Sequence, residues 1–265
     1  MKRLLITGLL FFVSGFFAFG LQTETAAQAP PVQTENTAKT TKKIPVLLEL
    51  FTSEGCPTCP PADANLARLE SEQPVFEAEI VTLALHVDYW NSVSWKDKYS
   101  SPLFSRRQQL YTHALKTYSN YTPQMFVDGQ TQFVGNDLAK ARKAILEAAK
   151  IQKATIEITT TAQDTFVIKI TGVPAHENAT VFLAVAEDNL ASGVRGSSNS
   201  IIKPAHISVV RELKSLRILT AQQTSLEIET TLQIQTDWKK ENLKLIIFVQ
   251  ENLSRKVLGV SRIKL

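Results

Sequence analysis

Two cysteines occur in the 265 residues, and they stand together in Cys56-Pro57-Thr58-Cys59. Thiols at this spacing either close on each other as a disulfide or trade disulfides with another molecule, and the thiolate is the nucleophile in that trade. A helix start favours the thiolate because its free backbone N–H groups point at the sulfur. Pro57, Pro60 and Pro61 carry no N–H, so the donors open to the Cys56 sulfur are chiefly the amides of Thr58 and Cys59. Cys56 is then the attacking thiol, and Cys59, carried into the following helix, is the resolving one. Glu54 and Asp63 are acidic neighbours whose charge opposes ionisation of the thiol. The competing reading is an inert Cys56–Cys59 disulfide, although a bond closing so short a loop constrains the unfolded chain little.

Other residues extend the constellation. Thr122-Pro123 immediately precedes a strand-like segment, where a cis X–Pro bond costs only about 0.5–1 kcal/mol and leaves the backbone of Thr122 able to pair with a bound peptide. Thr122 and Pro123 are thus candidate substrate-binding residues, with Pro123 also supporting the cysteines. Glu49 lies on an apolar strand seven residues before Cys56. A buried carboxylate there either relays the Cys59 proton or pairs with a Lys or Arg. His86 and Asp88 raise a metal reading with the two cysteines, in effect a copper-handling site, but the spacing matches no recognised metal pattern, so no metal is assigned. No dissociable organic cofactor is implied. No Ser-His-Asp set, phosphate loop or catalytic carboxylate pair stands out.

The elements that must hold these residues follow from periodicity. Val46 to Phe51 and Ile80 to Val87 are apolar runs of strand length, and Ala62, Leu66 and Leu69 have helical spacing after the cysteines. Ser101 as N-cap and Pro102 at the first position open a second helix. Gln124 to Val127 and Thr131 to Val134 flank Asp128-Gly129, a hairpin turn pair, and Asn136 is the expected cap of a closing helix carrying Leu138, Ala141 and Ile145. The order βαβαββα over residues 44–152 predicts an α/β thioredoxin-like domain with the CxxC after its first central strand. From 153 to 265 about seven β-rich segments without a long helical stripe predict a separate all-β, sandwich-like domain.

Four stretches carry a family resemblance: ELFTSEGCPTCPPAD (49–63), HVDYW with SWKD (86–90, 94–97), SPLFSRRQQLY (101–111) and YTPQMFVDG (121–129). They resemble an uncharacterised bacterial family of secreted thioredoxin-like proteins known as a domain of unknown function. A weaker echo runs through His206 to Glu212, although Ser197 to Lys203 departs from that family's Gly- and Arg-bearing stretch. The resemblance implies a thioredoxin-like domain followed by a β-rich one, export, and a CxxC redox site on Cys56 and Cys59 with Pro123 at the proline position. It supplies no substrate.

Composition fits a folded, exported chain. With 44% hydrophobic residues and a net charge of +4 from 29 basic and 25 acidic side chains, neither disorder nor a nucleic-acid surface is indicated. Met1-Lys2-Arg3 followed by the apolar run Leu4 to Leu21 has the layout of a secretory signal within residues 1–29. An uncleaved membrane anchor is the alternative for a run of that length. Residues 30–43, poor in apolar side chains, read as a flexible linker. The leading expectation is therefore an exported thiol-disulfide oxidoreductase acting on thiols and disulfides of other exported proteins. The alternative is a surface or periplasmic binding or assembly module with a structural disulfide.

Overall fold

A computed structural model describes residues 10–12, 43–191 and 205–265. All but residues 10–12 of the expected signal and all but Lys43 of the linker, together with the Ser197 to Lys203 stretch, lie outside the described residues. The described residues from Lys43 onward belong to one compact unit.

The first half of this unit runs β1 (Ile44–Thr52), α1 (Pro60–Glu72), β2 (Ala78–His86), α2 (Pro102–Ala114), β3 (Gln124–Val127), β4 (Thr131–Val134) and α3 (Leu138–Ala148). The second half runs β5 (Thr155–Ala162), β6 (Thr165–Thr171), β7 (Ala179–Glu187), β8 (Leu190–Ala191), β9 (Ala205–His206), β10 (Val209–Leu219), β11 (Leu226–Thr231), β12 (Leu243–Glu251) and β13 (Val257–Lys264). Local chemistry sets several boundaries. Ser101 caps α2 by accepting the Leu103 N–H at 3.2 Å. Asp128 and Gly129 both take positive φ, 48° and 68°, as the hairpin requires. The cap of α3 is Asp137, one residue beyond the expected Asn136, and it accepts from Lys140 N at 3.0 Å.

The expected fold class is overturned by the sheet. The chain is not a thioredoxin-like domain followed by a separate sandwich. Among the described residues, one eight-stranded mixed sheet runs β13-β12-β7-β10-β2-β1-β3-β4 through both halves, beside a three-stranded sheet β11-β6-β5 and the short β8–β9 ribbon. The junction is β10 lying parallel to β2, with Val209 opposite Ala84 and the Ala84 N–H donating to Ser208 O at 2.8 Å. The physical reason is the apolar edge that β2 would otherwise expose: β2 is buried along nearly its whole length and needs a partner on its far side. Packing is equally continuous. One core joins Leu47 and Phe51 of β1, Leu83 and Leu85 of β2 and Tyr111 of α2 to Ala184, Phe248 and Val260 of the second half. A second core lies between β1 and β2 and the helices α1 and α3, and a third lies under the three-stranded sheet.

Candidate functional site

In a strand, alternate residues share a face, and in the β1–β2 ladder paired residues face the same way. Leu48 and Leu50 of β1 and Ala84 of β2 face α1. The ladder's last pair, Thr52 opposite His86, continues that face. Thr52 Oγ1 donates to Asp63 Oδ1 at 2.9 Å. Asp63 reaches this position because Cys59, Ala62, Asp63 and Leu66 follow the i, i+3, i+4, i+7 stripe that α1 turns inward. Cys59 is the N-cap of α1 and has helical angles, φ −77° and ψ −34°, so the stripe begins at the cysteine itself. Burial pushes the Asp63 carboxyl above its ordinary value, against the Thr52 hydrogen bond and the fields of His86 and His206.

Beside this pair, His86 Nδ1 is 2.8 Å from Asp97 Oδ2, and both side chains are fully buried. Burial opposes ionisation of Asp97, but the His86 bond and the N–H groups of Glu54 and Tyr99 outweigh it and hold its carboxyl below the ordinary range. An ionised Asp97 only accepts, so His86 Nδ1 is the donor in this bond. The same aspartate accepts the Glu54 N–H at 2.8 Å and the Ser53 hydroxyl at 3.3 Å, which fixes the turn leading into Cys56. From the second half, His206 of β9 places Nε2 3.3 Å from Glu54 Oε1, and its ring meets that of His86 edge-on at 5.3 Å. His86 Nε2, His206 Nε2 and Glu54 Oε1 are all buried without an aligned hydrogen bond among the described residues. A titratable cluster drawn from both halves therefore lies at the end of β1 and β2, beside the CxxC turn.

Cys56 and Cys59 are joined as a disulfide, Cα to Cα 5.5 Å. The donor at the Cys56 sulfur is the Thr58 hydroxyl at 3.6 Å. The Cys59 amide, an expected donor, is instead directed to Cys56 O at 3.3 Å. Both cysteines are enclosed, Cys56 at 2% exposure and Cys59 at 0%, while Pro57 and Thr58 between them are exposed. Two tryptophans pack against the neighbouring Gly55. A Cβ built there would lie 2.8 Å from Trp95 Cζ3 and 3.3 Å from Trp90 Cβ, so a side chain at 55 would collide with them. The Trp90 indole N–H donates to Thr122 Oγ1 at 2.7 Å. The Thr122–Pro123 peptide is cis, and it lies just before β3, whose Gln124 pairs with Phe51 of β1. Thr122 and Pro123 thus arrive at the same end of the sheet as the cysteines.

Glu49 is placed elsewhere. It lies on the other face of β1, where Arg107 donates to it from Nε at 2.6 Å and from a terminal nitrogen at 3.0 Å, and the Tyr111 hydroxyl donates as well. Burial works against the Arg107 charge, but Glu49 and Tyr111 hold the guanidinium above its ordinary value. Burial likewise pushes the Tyr111 phenol well up. Of the residues weighed as metal ligands, Asp88 falls beyond the end of β2 and accepts from Ser105 of α2 instead of joining His86. Among the described residues no group of three or more His, Cys, Asp or Glu side chains is arranged to hold a metal ion. No helix there is long and apolar enough to cross a membrane.

Asp97, His206 and the inward role of Asp63 were not assigned from periodicity. Asp63 and Asp97 do lie inside the motif stretches 49–63 and 94–97, and His206 opens the weaker echo.

Comparison with curated proteins yields no match. A solved structure of protein AGR_C_4864 from Agrobacterium tumefaciens shares the fold, at 23% identity and TM-score 0.68 over 84% of this chain and 95% of that one. A domain of the outer membrane lipoprotein Omp28 from Porphyromonas gingivalis aligns at 12% identity and TM-score 0.26 over 43% of this chain and 89% of its own, too low a similarity to carry an argument. The model of the protein family described as "Protein of unknown function (DUF1223)" matches residues 47–250, and the chain belongs to that family.

Proposed function

We propose that the protein is an exported thiol-disulfide oxidoreductase that exchanges disulfides with other exported proteins at Cys56, with Cys59 resolving the mixed disulfide. The observation that carries this reading is the Cys56–Cys59 disulfide at the start of α1, set beside a buried cluster of two histidines and three acids. A disulfide that served stability alone has no use for titratable groups, and burying them costs free energy. Exchange needs groups that give and take protons as thiols form and vanish. The apolar N-terminal run supports export.

The enclosure of both sulfurs favours a second reading, a binding or assembly module whose disulfide is structural. On the first reading an approaching thiolate must enter past the exposed Pro57-Thr58 edge. A Cys59→Ser variant of the full chain, expressed with its N-terminal segment, separates the two. Exchange predicts disulfide-linked adducts with other proteins that collapse on reduction and vanish in Cys56→Ser. An absence of adducts assigns the disulfide a structural role.

A further inference from the structure

The resolving step leaves one proton without an address. Cys59 attacks only as a thiolate, yet it has no exposure to solvent that would take its proton directly. Glu49, on the far face of β1, is already held by Arg107 and Tyr111. The inward stripe of α1 carries two acids. Glu70 is neutralised by Lys244, at 3.0 Å, and by Arg262. Asp63 has no Lys or Arg partner among the described residues and rests on a single hydroxyl, Thr52.

Resting on the exchange reading above, we infer that Asp63 is the proton acceptor and donor for Cys59. The two residues are four apart from the N-cap onward, which stacks their side chains on one face of α1. A carboxyl in this site lacks a permanent counter-charge, so its proton is free to move. Groups facing it from other elements are His86 of β2, His206 of β9 and Asp97 from the loop before α2. The two imidazoles favour its charged form and Asp97 opposes it. Burial acts in the same sense as Asp97 and keeps the carboxyl easier to protonate than an exposed aspartate.

The step balances as follows. With a partner sulfur bonded to Cys56, the Cys59 thiol gives its proton to the Asp63 carboxylate. The Cys59 thiolate attacks Cys56 Sγ, the Cys56–Cys59 bond forms, and the bond from Cys56 to the partner breaks. The electron pair leaves on the partner sulfur as a thiolate, so the cysteine pair is oxidised and the partner reduced. In reverse, an incoming protein thiolate attacks Cys56, Cys59 departs as a thiolate, and protonated Asp63 returns the proton.

The test uses the full chain with glutathione loaded chemically onto Cys56, and follows glutathione release by Cys59 across pH. The expected profile has two steps, one from the carboxyl and one from the thiol. Asp63→Asn keeps the Thr52 hydrogen bond and is expected to lose the lower step, slowing release about tenfold or more on the acid side of the thiol's titration. Thr52→Val removes the donor that favours the carboxylate, and is expected to move the lower step to higher pH without abolishing it. An Asp63→Asn profile that superimposes on the parent overturns the inference. If that variant does not fold, an unmoved lower step in Thr52→Val overturns it instead. The assay needs no natural partner, so it separates this inference from the exchange reading: adducts trapped by Cys59→Ser with an unaltered profile sink the relay alone, and a two-step profile without adducts sinks the exchange alone.

Discussion

Thr52 and His86 face each other across the last rung of the β1–β2 ladder, and each meets an aspartate from a different element, Asp63 from α1 and Asp97 from the loop before α2. The two aspartates have opposite electrostatics. Asp63, with one hydroxyl and no fixed cation, has its carboxyl pushed up by burial. Burial acts on Asp97 in the same sense, but His86 and two backbone N–H groups overcome it and hold that carboxyl down. One strand end thus presents an acid that readily takes a proton beside one that keeps its charge.

The depressed Asp97 carboxyl makes the fold acid-sensitive. A carboxyl whose folded pKa lies below its unfolded value contributes stability that is present above the unfolded value and lost as pH falls through the folded one. Asp97→Asn is expected to lower unfolding stability by about 1.5–3 kcal/mol at neutral pH, the worth of hydrogen bonds to a charged group. In urea unfolding across pH, the gap to the parent should shrink as pH is lowered below the ordinary carboxylate range. A gap that does not depend on pH would contradict the assignment.

Asp63 works in the opposite sense. Its raised folded pKa means that ionising it opposes the fold, so stability present below the unfolded value of about 3.9 is lost as pH rises through the folded one. Asp63→Asn should therefore gain stability relative to the parent between about pH 4 and neutrality, read by the same unfolding series. A variant that becomes relatively less stable over that range would show that Asp63 is held as a charged residue.

Glu49 and Arg107 form a buried pair, and removing one member leaves the other uncompensated. Arg107→Met is expected to cost about 3–5 kcal/mol. Combined with Glu49→Gln it should cost less than the two single losses added together. Neither variant should alter the pH profile of glutathione release, because the pair faces away from α1. A changed profile would return Glu49 to the proton path.

How much of this was legible in the sequence depends on the range of the forces. The order β1 to α3 was readable because each element carries its own period, cap or turn: Leu66 and Leu69 at helical spacing, Ser101 before Pro102, Asp128-Gly129 in the hairpin. The joining of the halves was not. It rests on Val209 meeting Ala84 across 125 positions of chain, and no local pattern records which apolar edge a strand will seek. The cluster beside the cysteines was half visible for the same reason. His86 and Asp63 stood out as chemistry-bearing types, but Asp97 and His206 gain meaning only once the loop before α2 and the β9 strand bring them to His86 and Glu54. Glu49 misled because an acid in an apolar strand has two equal explanations, and only the position of Arg107 separates them.

The indoles packed on Gly55, the residue before Cys56, should control access to the disulfide. Trp95→Ala is expected to speed reduction of Cys56–Cys59 by dithiothreitol about tenfold, since exchange depends on access to the attacked sulfur. Gly55→Ala, whose methyl would press on Trp95, should act in the same direction with some loss of stability. Unchanged rates in both variants would show that the indoles do not gate the sulfurs.

The most direct measurement is the equilibrium reduction potential of the Cys56–Cys59 pair in the intact chain, set against glutathione and dithiothreitol buffers. A pair that trades disulfides with other proteins is expected to settle above about −300 mV. A value below that mark would belong to a structural bond and would contradict the exchange account.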